Sequence, residues 1–373
     1  MLIPVSEFGQ RPLKYTFPME QLLSQLESLP AWLAERKYPS FRKRQIQRWL
    51  FESRVDGFSD MSDLPAKLRE DLTGSYHIWT TSVVKHQKSD DGTEKLLLRL
   101  ADGGVIECVL IRGGPRRTIC VSSQVGCAMG CVFCASGLNG VDRNLTSGEI
   151  VEQMLRLQRL LPAEERLSHL VMMGMGEPLA NLDNVIRGLE IASSNDGLAI
   201  SARRITISTV GLPPAIRRLA EKDLRYHLAV SLHAPNDALR NQLVPVNDKI
   251  GIAAIMEAAD YFFSRTGRRL TFEYVLLDQL NDRTEHAEEL VQLLAGRVAL
   301  LNVIPYNPVE GLPYRTPSAN AVNRFRDVLA QGGIVVKFRQ RKGDAINAAC
   351  GQLRRQSLVN ADEIAINSGQ LGG

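Results

Sequence analysis

The chain has 373 residues, 44% of them hydrophobic and 23% charged, and a net charge of +4, as in a globular protein with a large core. It has no run of 18 apolar residues and no basic N-terminal segment followed by an apolar one. This argues against a membrane span or a secretory signal and predicts a cytoplasmic protein, in which six cysteines are too few for a disulfide scaffold.

The first 95 residues carry mainly helical patterns. Apolar residues recur at helical spacing in Met19–Leu33 and again in Arg42–Phe51. The second segment combines a basic face with aromatic residues, so it is either a helix that faces RNA or an ordinary amphipathic helix. Leu96–Leu100 and Val105–Ile111 then predict two strands joined by a glycine-containing turn.

The cations of the chain are concentrated in short runs. These runs lie at Phe41–Trp49, Arg116-Arg117, Arg203-Arg204, Arg268-Arg269 and Arg339–Lys342. Any single run is typical of a solvated surface, whereas all of them together permit a polyanionic partner such as RNA.

From about Thr118 onward, strand and helix patterns alternate. The predicted strands are Thr118–Ser122, His169–Met173, Arg204–Thr209, His227–Leu232, Thr271–Leu277, Leu300–Ile304 and Ile334–Phe338. Thr146 and Glu149 form a capping-box pattern at the start of one intervening helix, and Ser318 caps another. Six strand–helix units predict parallel strands with right-handed crossovers, and therefore an open or closed α/β barrel with its ligands at the C-terminal strand ends.

Three cysteines follow the first strand of this barrel. Cys127, Cys131 and Cys134 are spaced CxxxCxxC, without a fourth ligand of similar quality nearby. A structural zinc site prefers four ligands, whereas three thiolates on one loop favour an iron–sulfur cluster in which one iron stays open. Three buried or zinc-binding cysteines are the alternative.

Polar and small residues follow the other strands where a bound ligand is expected. Gly174 and Gly176 would let the backbone approach a ligand, and Glu177 offers a carboxylate for an ammonium group. Each of these features alone is also compatible with an ordinary turn, and His233 alone is compatible with a structural histidine. The candidate cofactor-binding residues are Gly176, Glu177, Ser208, Ser231, Leu232, His233 and Asn307.

Several segments together resemble the RlmN/Cfr family of radical S-adenosylmethionine (SAM) RNA methyltransferases, over roughly residues 40 to 355. They are Ser122–Cys127, Met172–Pro178, Ser231–Pro235, Glu285-His286 and Ala348–Leu353. Pro178 and Leu277-Asp278 are more similar to RlmN than to Cfr, and Asn347 departs from the acidic residue expected there. The resemblance implies an α/β fold, a partial (βα)6 radical SAM barrel, over residues 113–345. A small helical accessory domain over residues 1–95, which is a candidate for RNA contact, would precede it with a linker to about 112, and a C-terminal segment would cover 346–373.

The resemblance also implies the activity. An RlmN-like enzyme would methylate carbon 2 of an adenosine in the peptidyl-transferase centre of 23S rRNA, and the adenosine beside the anticodon in some tRNAs. A Cfr-like enzyme would methylate carbon 8 of the ribosomal adenosine instead and confer antibiotic resistance. The implied cofactors are one 4Fe–4S cluster on Cys127, Cys131 and Cys134, and two SAM molecules per turnover, with an electron donor such as flavodoxin or ferredoxin and no membrane partner.

Two further cysteines acquire roles from the same resemblance. Cys350 is implied to accept a methyl group, and Cys120 to release the methylated RNA, leaving a transient Cys120–Cys350 disulfide. Glu107 matches a proton acceptor, and Cys108 is interpreted as a strand residue. A radical SAM activase or maturase, or a zinc-dependent RNA-binding module, remains an alternative, although neither class needs the two thiols.

Overall fold

The structure, a computed structural model, describes residues 19–339, 343 and 346–353. The N-terminal part contains β1 (Glu20–Gln21), α1 (Leu29–Glu35), α2 (Arg42–Phe51), α3 (Ala66–Ser75) and β2 (Tyr76–His77). In this described part of the chain, no helix is long and apolar enough to cross a membrane.

The predicted helix Met19–Leu33 is wrong in extent. The chain instead forms the short β1, a 3-10 turn at Leu22–Ser24, and α1 from Leu29 onward. Pro30 lies in the first turn of α1, where a missing N–H is harmless, whereas inside a longer helix it would break the hydrogen-bond ladder. The helical part also ends earlier than the predicted residue 95, because strands follow α3 after Ser75.

Ten of the following strands form one sheet, in the linear order β14-β13-β12-β11-β10-β9-β6-β5-β4-β3. The strands of this part of the chain are β3 (Ser82–Lys88), β4 (Glu94–Arg99), β5 (Val105–Gly113), β6 (Arg116–Cys120), β7 (Gln124–Gly126), β8 (Val141–Asn144), β9 (His169–Met172), β10 (Ile205–Thr209), β11 (His227–Ser231), β12 (Leu270–Leu276), β13 (Ala299–Pro305) and β14 (Val336–Phe338). β7 and β8 form a separate antiparallel hairpin. The two strands predicted around the turn near residue 103 are confirmed as β4 and β5.

The seven strands from β6 to β14 in this order are parallel, while β3, β4 and β5 extend the sheet antiparallel beyond β6. The helices between and beside the parallel strands are α4 (Ser147–Gln158), α5 (Leu182–Ser193), α6 (Pro213–Ala220), α7 (Asp237–Leu243), α8 (Ile252–Thr266), α9 (Thr284–Leu294) and α10 (Ala319–Gln331). This is the partial radical SAM barrel that the sequence predicted, with β3 and β14 as its edges. The boundaries expected near residues 113 and 346 stay predictions, and 354–373 lie outside the described residues.

The predicted helix starts are confirmed by their side-chain caps. Thr146 accepts a hydrogen bond from the Glu149 backbone N–H, and the Glu149 carboxylate accepts one from the Thr146 N–H. Ser318 accepts a hydrogen bond from the Ala321 N–H at the start of α10. These caps satisfy backbone donors that have no partner inside the helix, which fixes where each helix begins.

A buried carboxylate joins the N-terminal part to the barrel. Glu152 of α4 is 0% exposed. Its Oε1 accepts hydrogen bonds from the N–H and hydroxyl of Thr81 at 2.9 and 2.6 Å. Its Oε2 accepts from the N–H and hydroxyl of Thr80 and from the side-chain amide of Gln21 at 2.8 Å. Charge-assisted hydrogen bonds of this kind are the strong ones, so both parts are held to one helix.

We expect Glu152→Gln to lower the free energy of unfolding by at least about 3 kcal/mol, because an amide NH2 would then face hydrogen-bond donors. Denaturant unfolding followed by circular dichroism measures this loss. Glu257→Gln is the matched control, because Glu257 is exposed and its ion pair with Arg217 is worth at most about 1 kcal/mol. Equal losses in the two variants would contradict the role given to Glu152.

Candidate active site

A cavity opens at the C-terminal ends of the parallel strands, where the barrel rule placed it. It is lined by Cys127, Met129, Cys131, Phe133, Cys134, Ser136, Met172, Met173, Gly174, Gly176, Glu177, Pro178, Ser208, Thr209, Val210, Ser231, His233, Glu273, Val275, Ile304, Tyr306, Cys350 and Gly351. Nine of the thirteen predicted site residues are among them. Leu232, Asn307, Cys120 and Glu107 lie outside this lining and are described below.

The three clustered cysteines lie together on one wall of the cavity, each half-buried. Burial raises the pKa of Cys127 to about 11, and the nearby Cys134 thiol adds to the effect. Burial also raises the pKa of Cys131, to which both other thiols contribute. All three thiols line the same cavity and follow one another on a single loop. A metal that binds them must displace their protons, so its affinity will depend on pH.

The glycines after β9 are required by contacts within the protein. Gly176 has a φ of +99°, and a Cβ there would lie 2.6 Å from the Cβ of Gln124. A Cβ on Gly174 would lie 2.7 Å from the backbone of Val121. The sequence predicted that these glycines admit a ligand. The structure shows that they also let this turn pack against the chain that follows β6.

Glu177 is buried beside the cluster thiols. Its Oε1 accepts a hydrogen bond from the Leu179 N–H at 2.9 Å, and its Oε2 accepts one from the Val210 N–H at 2.7 Å. Burial raises the pKa of Glu177 to about 7, although these hydrogen bonds oppose the shift. A carboxylate with this environment gains stability from a cationic ligand, because the ligand charge compensates for the lost solvent.

The polar residues at the ends of β10 and β11 meet as predicted. The hydroxyl oxygens of Ser208 and Ser231 lie 3.4 Å apart at the cavity wall. His233 follows in a left-handed conformation, with a φ of +60°, and its Nδ1 accepts a hydrogen bond from the Val275 N–H. Burial lowers the pKa of His233 to about 3, so the ring is neutral. His233 therefore both lines the cavity and supports the backbone, which joins the two interpretations that the sequence left open.

Leu232 and Asn307 are placed differently from the prediction. Leu232 is fully buried, its N–H donates to the carbonyl of Glu273, and its own carbonyl accepts from Arg240. Asn307 is buried next to the cavity, and its Nδ2 donates to the carbonyl of Cys350 at 3.3 Å. Leu232 thus has a backbone role, and Asn307 helps to hold the segment that carries Cys350.

Arg240 organises the strand ends without touching the cavity. Its guanidinium is 0% exposed and donates to the carbonyls of Val210, Ser231 and Leu232. A fourth hydrogen bond goes to Oδ1 of Asn247 at 2.5 Å. A guanidinium has five N–H donors in one plane and can donate to several carbonyls at once, whereas a lysine ammonium has only three donors on one atom. Nothing in the local sequence distinguished Arg240 from the surface arginines of other helices.

The two mechanistic cysteines lie at the same end of the barrel although they are distant in the sequence. Cys120 ends β6 and is buried, and Cys350 is exposed to the cavity. Burial raises the pKa of Cys120 to about 12, and the Cys350 thiol contributes to that rise. Desolvation likewise raises the pKa of Cys350, while Arg339 opposes the shift at both thiols. The pairing that the resemblance implied is therefore compatible with the fold.

The segment that carries Cys350 is fastened to the cysteine loop. The backbone N–H of Ala135 donates to the carbonyl of Gly351 at 2.8 Å. The hydroxyl of Ser136 donates to the carbonyl of Leu353 at 2.6 Å. Both donors follow Cys134 directly, so the loop that presents the clustered thiols also positions Cys350.

Glu107 is part of a buried ion pair. It lies on the same face of the sheet as Cys120, because Val109 is the register partner of Cys120 and side chains alternate along a strand. The carboxylate is 0% exposed and lies 2.8 Å from the ammonium of Lys95, which also donates to the carbonyl of Asn347 at 2.9 Å. Lys95 therefore connects Glu107 to the chain three residues before Cys350.

Sequence reasoning missed Lys95 and Glu273. Glu273 lines the cavity, accepts a hydrogen bond from Asn302 at 2.6 Å, and lies 3.9 Å from Arg339. Both missed residues are buried charged side chains within strands whose residues are mostly buried. A charge in such a strand needs a partner, and this signal could have identified them.

Comparisons with known proteins agree with this geometry. The Radical SAM superfamily model matches residues 121–294, and the model of the ribosomal RNA large subunit methyltransferase N-terminal domain matches residues 22–78. A "Probable dual-specificity RNA methyltransferase RlmN" of Rhodopirellula baltica is 66% identical over 88% of this chain and 89% of its own length. The chain belongs to the RlmN family of radical SAM RNA methyltransferases.

Other RlmN-family proteins align over similar lengths. A protein of the same name from Carboxydothermus hydrogenoformans is 45% identical over 88% of this chain and 96% of its own length. The crystal structure of a radical SAM methyltransferase from Sphaerobacter thermophilus superimposes with a TM-score of 0.88 and 44% identity. It covers 91% of this chain and 100% of that one, so the fold extends over both the accessory part and the barrel.

The family implies a 4Fe–4S cluster and SAM, and the residues present fit both. In the described part of the chain, no three Cys, His, Asp or Glu side chains are grouped closely enough to share one metal ion. A cluster needs no such grouping, because each thiolate binds a different iron. Glu177, which lines the cavity, would accept a hydrogen bond from an amino group of SAM. The buried Oδ1 of Asn307, next to the cavity, has no hydrogen-bond partner among the described residues and is a further acceptor there.

We expect Lys95→Met to lower the free energy of unfolding by about 3–5 kcal/mol, because it removes the ammonium that lies 2.8 Å from the buried Glu107 carboxylate. Adding Glu107→Gln in the same chain should recover part of the loss. The two single variants and the double variant form a cycle that denaturant unfolding can measure. Losses that simply add would contradict a direct pairing of these two charges.

Proposed function

We propose that this enzyme methylates carbon 2 of an adenosine in the peptidyl-transferase centre of 23S rRNA and of the adenosine beside the anticodon in some tRNAs. The observation that supports the proposal is the presence of Cys350 in the cavity lined by the three clustered cysteines, with Cys120 at the C-terminal end of β6 on the same side of the barrel. The relatives from Rhodopirellula baltica and Carboxydothermus hydrogenoformans are both named as probable dual-specificity RNA methyltransferases. The cytoplasm, where both RNAs occur, is the proposed location.

The chemistry of the target explains the need for two thiols. Carbon 2 of adenine is an electrophilic aromatic CH position, so it cannot attack the methyl group of SAM directly. A thiolate can accept that methyl, and a methyl held as a thioether can afterwards be transferred as carbon. A second thiol is then required to break the bond between that carbon and the first sulfur.

In the first step, the Cys350 thiolate attacks the methyl carbon of one SAM, which leaves as S-adenosylhomocysteine. Only the thiolate is nucleophilic, and Arg339 favours it by lowering the pKa of Cys350 against desolvation. When bound, the cluster and a second SAM, with one electron from a donor such as flavodoxin or ferredoxin, supply the radical that removes a hydrogen atom from this methyl group.

In the second step, the methylene carbon on Cys350 bonds to carbon 2 of the adenine. The ring then loses one proton and one electron, and the electron would return to the cluster held by Cys127, Cys131 and Cys134. Cys120 then attacks the sulfur of Cys350 and breaks its bond to the methylene carbon. That carbon takes the electron pair and a proton and becomes the new methyl group. The Cys120–Cys350 disulfide that remains must be reduced by an external dithiol before the next turnover.

We propose Glu107 as the acceptor of the ring proton. Two observations support this role: Glu107 shares the sheet face of Cys120, and the Lys95 ammonium at 2.8 Å stabilises its ionised form. Its complete burial places it behind the cavity wall rather than on it.

Nucleoside mass spectrometry tests the proposed target. A 23S rRNA transcript and a tRNA transcript, incubated with the reconstituted enzyme, SAM and reductant, should both yield 2-methyladenosine at the proposed positions. Exclusive formation of 8-methyladenosine would assign the enzyme to the Cfr-like reaction instead. Methylation of only one of the two RNAs would remove the dual specificity.

Replacing Cys127, Cys131 or Cys134 with Ala should abolish both bound iron and RNA methylation, because the cluster has no other thiolates on this loop. Iron and sulfide analysis of anaerobically purified protein, together with the visible absorbance, measures the loss. Cys108→Ala is the control, since Cys108 is a fully buried strand residue that should leave the iron content unchanged. Full iron in any loop variant would refute the assignment.

Cys350→Ala and Cys120→Ala should fail at different steps. Cys350→Ala should keep its cluster and never form an RNA adduct, because it lacks the sulfur that carries the methylene. Cys120→Ala should form the adduct and fail to resolve it, giving a nuclease-sensitive shift in gel mobility. The double variant should lose the shift, and an absence of trapped RNA in Cys120→Ala would leave that residue with a structural role only.

A further inference from the structure

The end of the barrel opposite to the cavity carries a row of arginines. Arg116 begins β6, Arg203 and Arg204 directly precede β10, and Arg268 and Arg269 directly precede β12. These five residues, here called the basic row, come from three of the cationic runs that are far apart in the sequence. The parallel order β6-β9-β10-β11-β12 brings them to the N-terminal edge of the sheet, on every second strand.

Two histidines lie on the strands between those that carry the arginines of the basic row. His169 begins β9, and its pKa is lowered by burial and then by the cations Arg116 and Arg204 on either side. On β11, burial lowers the pKa of His227, and both arginines before β12 lower it further. A hydrogen bond to the Arg203 carbonyl opposes this shift. Four gaps between five strands span about 19 Å at the usual spacing between strands, so the row crosses most of this edge.

Within the part of the chain that the structure describes, the charges of the basic row have no carboxylate partners. Among the described residues, no Asp or Glu oxygen lies within 4.0 Å of these five guanidinium groups. Arg268 is half-buried and the other four are exposed. The whole chain has a net charge of only +4, so five uncompensated cations on one edge are a strong local concentration.

Other cationic surfaces of the protein differ in this respect. On α2, which the sequence suggested as an RNA-facing helix, two of the four cations have carboxylate partners: Arg48 pairs with Asp63, and Arg44 lies 3.4 Å from Asp196. On α6, Arg217 pairs with Glu257 at 2.7 Å, and Arg218 pairs with Asp183 at 2.9 Å. The basic row is thus better prepared for an external polyanion than these helices are.

We propose that the basic row binds the phosphate backbone of the RNA substrate at a place remote from the target adenosine. This inference rests on the proposed function, since it assumes that RNA is the substrate. Arginine suits the role, because its planar fork can hold two phosphate oxygens at once. Contacts to phosphates carry no sequence information, so the row should add affinity for large RNAs without reading their sequence.

RNA fits this place better than an acidic electron donor does. The clustered cysteines lie beyond the C-terminal ends of the strands, whereas the basic row lies at their N-terminal ends. A strand of five residues such as β10 separates the two ends by about 16 Å, and the cysteine loop adds to that distance. A protein docked on the row would therefore be far from the cluster, while a large folded RNA can reach both ends.

The test compares two double variants that each remove two positive charges. Arg204→Gln with Arg268→Gln weakens the basic row, and Arg217→Gln with Arg218→Gln removes cations that already have carboxylate partners. Binding is measured from 50 to 200 mM KCl with a transcript of the 23S rRNA domain that contains the target adenosine, and with a short hairpin around that adenosine. Thermal unfolding and iron content confirm that both variants are intact.

We expect the basic-row variant to bind the long transcript about tenfold more weakly at the lowest salt. The slope of log K against log salt should become shallower by about 1.4 to 1.8, which corresponds to two lost phosphate contacts. Binding of the short hairpin, and both affinities of the control variant, should stay at wild-type values.

Equal affinities and salt slopes for the long transcript in both double variants would overturn the proposal. Slower reduction of the cluster by an acidic flavoprotein, with RNA binding intact, would also overturn it and assign the row to a protein partner. The binding measurements need no turnover, so their outcome does not depend on the proposed methylation. A failure of the proposed methylation would appear in assays of the wild-type enzyme alone.

Discussion

The position of Cys350 depends on two hydrogen bonds from the cysteine loop. Ala135 and Ser136 donate to carbonyls on either side of Gln352, so the end of the barrel domain is held against the loop that follows β6. The chemistry proposed for this family needs one thiol close to the cluster, to SAM and to a second thiol. One loop meets this requirement, because it presents the three clustered thiols and also positions the thiol of Cys350.

Much of the barrel could be predicted from the sequence, because parallel strands with buried faces leave a strong pattern. The predicted strands agree with the observed ones within about two residues, and the cap at Thr146 was visible as a four-residue motif. The N-terminal helix was less predictable. Its apolar spacing continues through Pro30, and only the proline itself marks the true start at Leu29.

The place of a residue in the cavity lining could be predicted from the sequence where its side chain lies at a strand end. Ser208, Ser231 and Glu177 belong to this group, since the barrel rule alone brings their positions together. Leu232 shows the limit, because its contacts depend on a guanidinium that arrives from α7. The partner of Glu107 could not be predicted for the same reason, since a buried ion pair needs a known register between strands.

The carboxylate of Glu152 has a consequence for how the protein unfolds. This carboxylate lies on a helix of the barrel and accepts hydrogen bonds from β1 and from the residues just before β3. Removing either the accessory part or the barrel would therefore leave hydrogen-bonding groups of the other without partners. Separate domains joined by a linker would melt independently, whereas these two parts share a buried charge that neither can satisfy alone. The accessory part and the barrel should therefore behave as one cooperative unit, and an excised fragment of either should expose a costly polar surface.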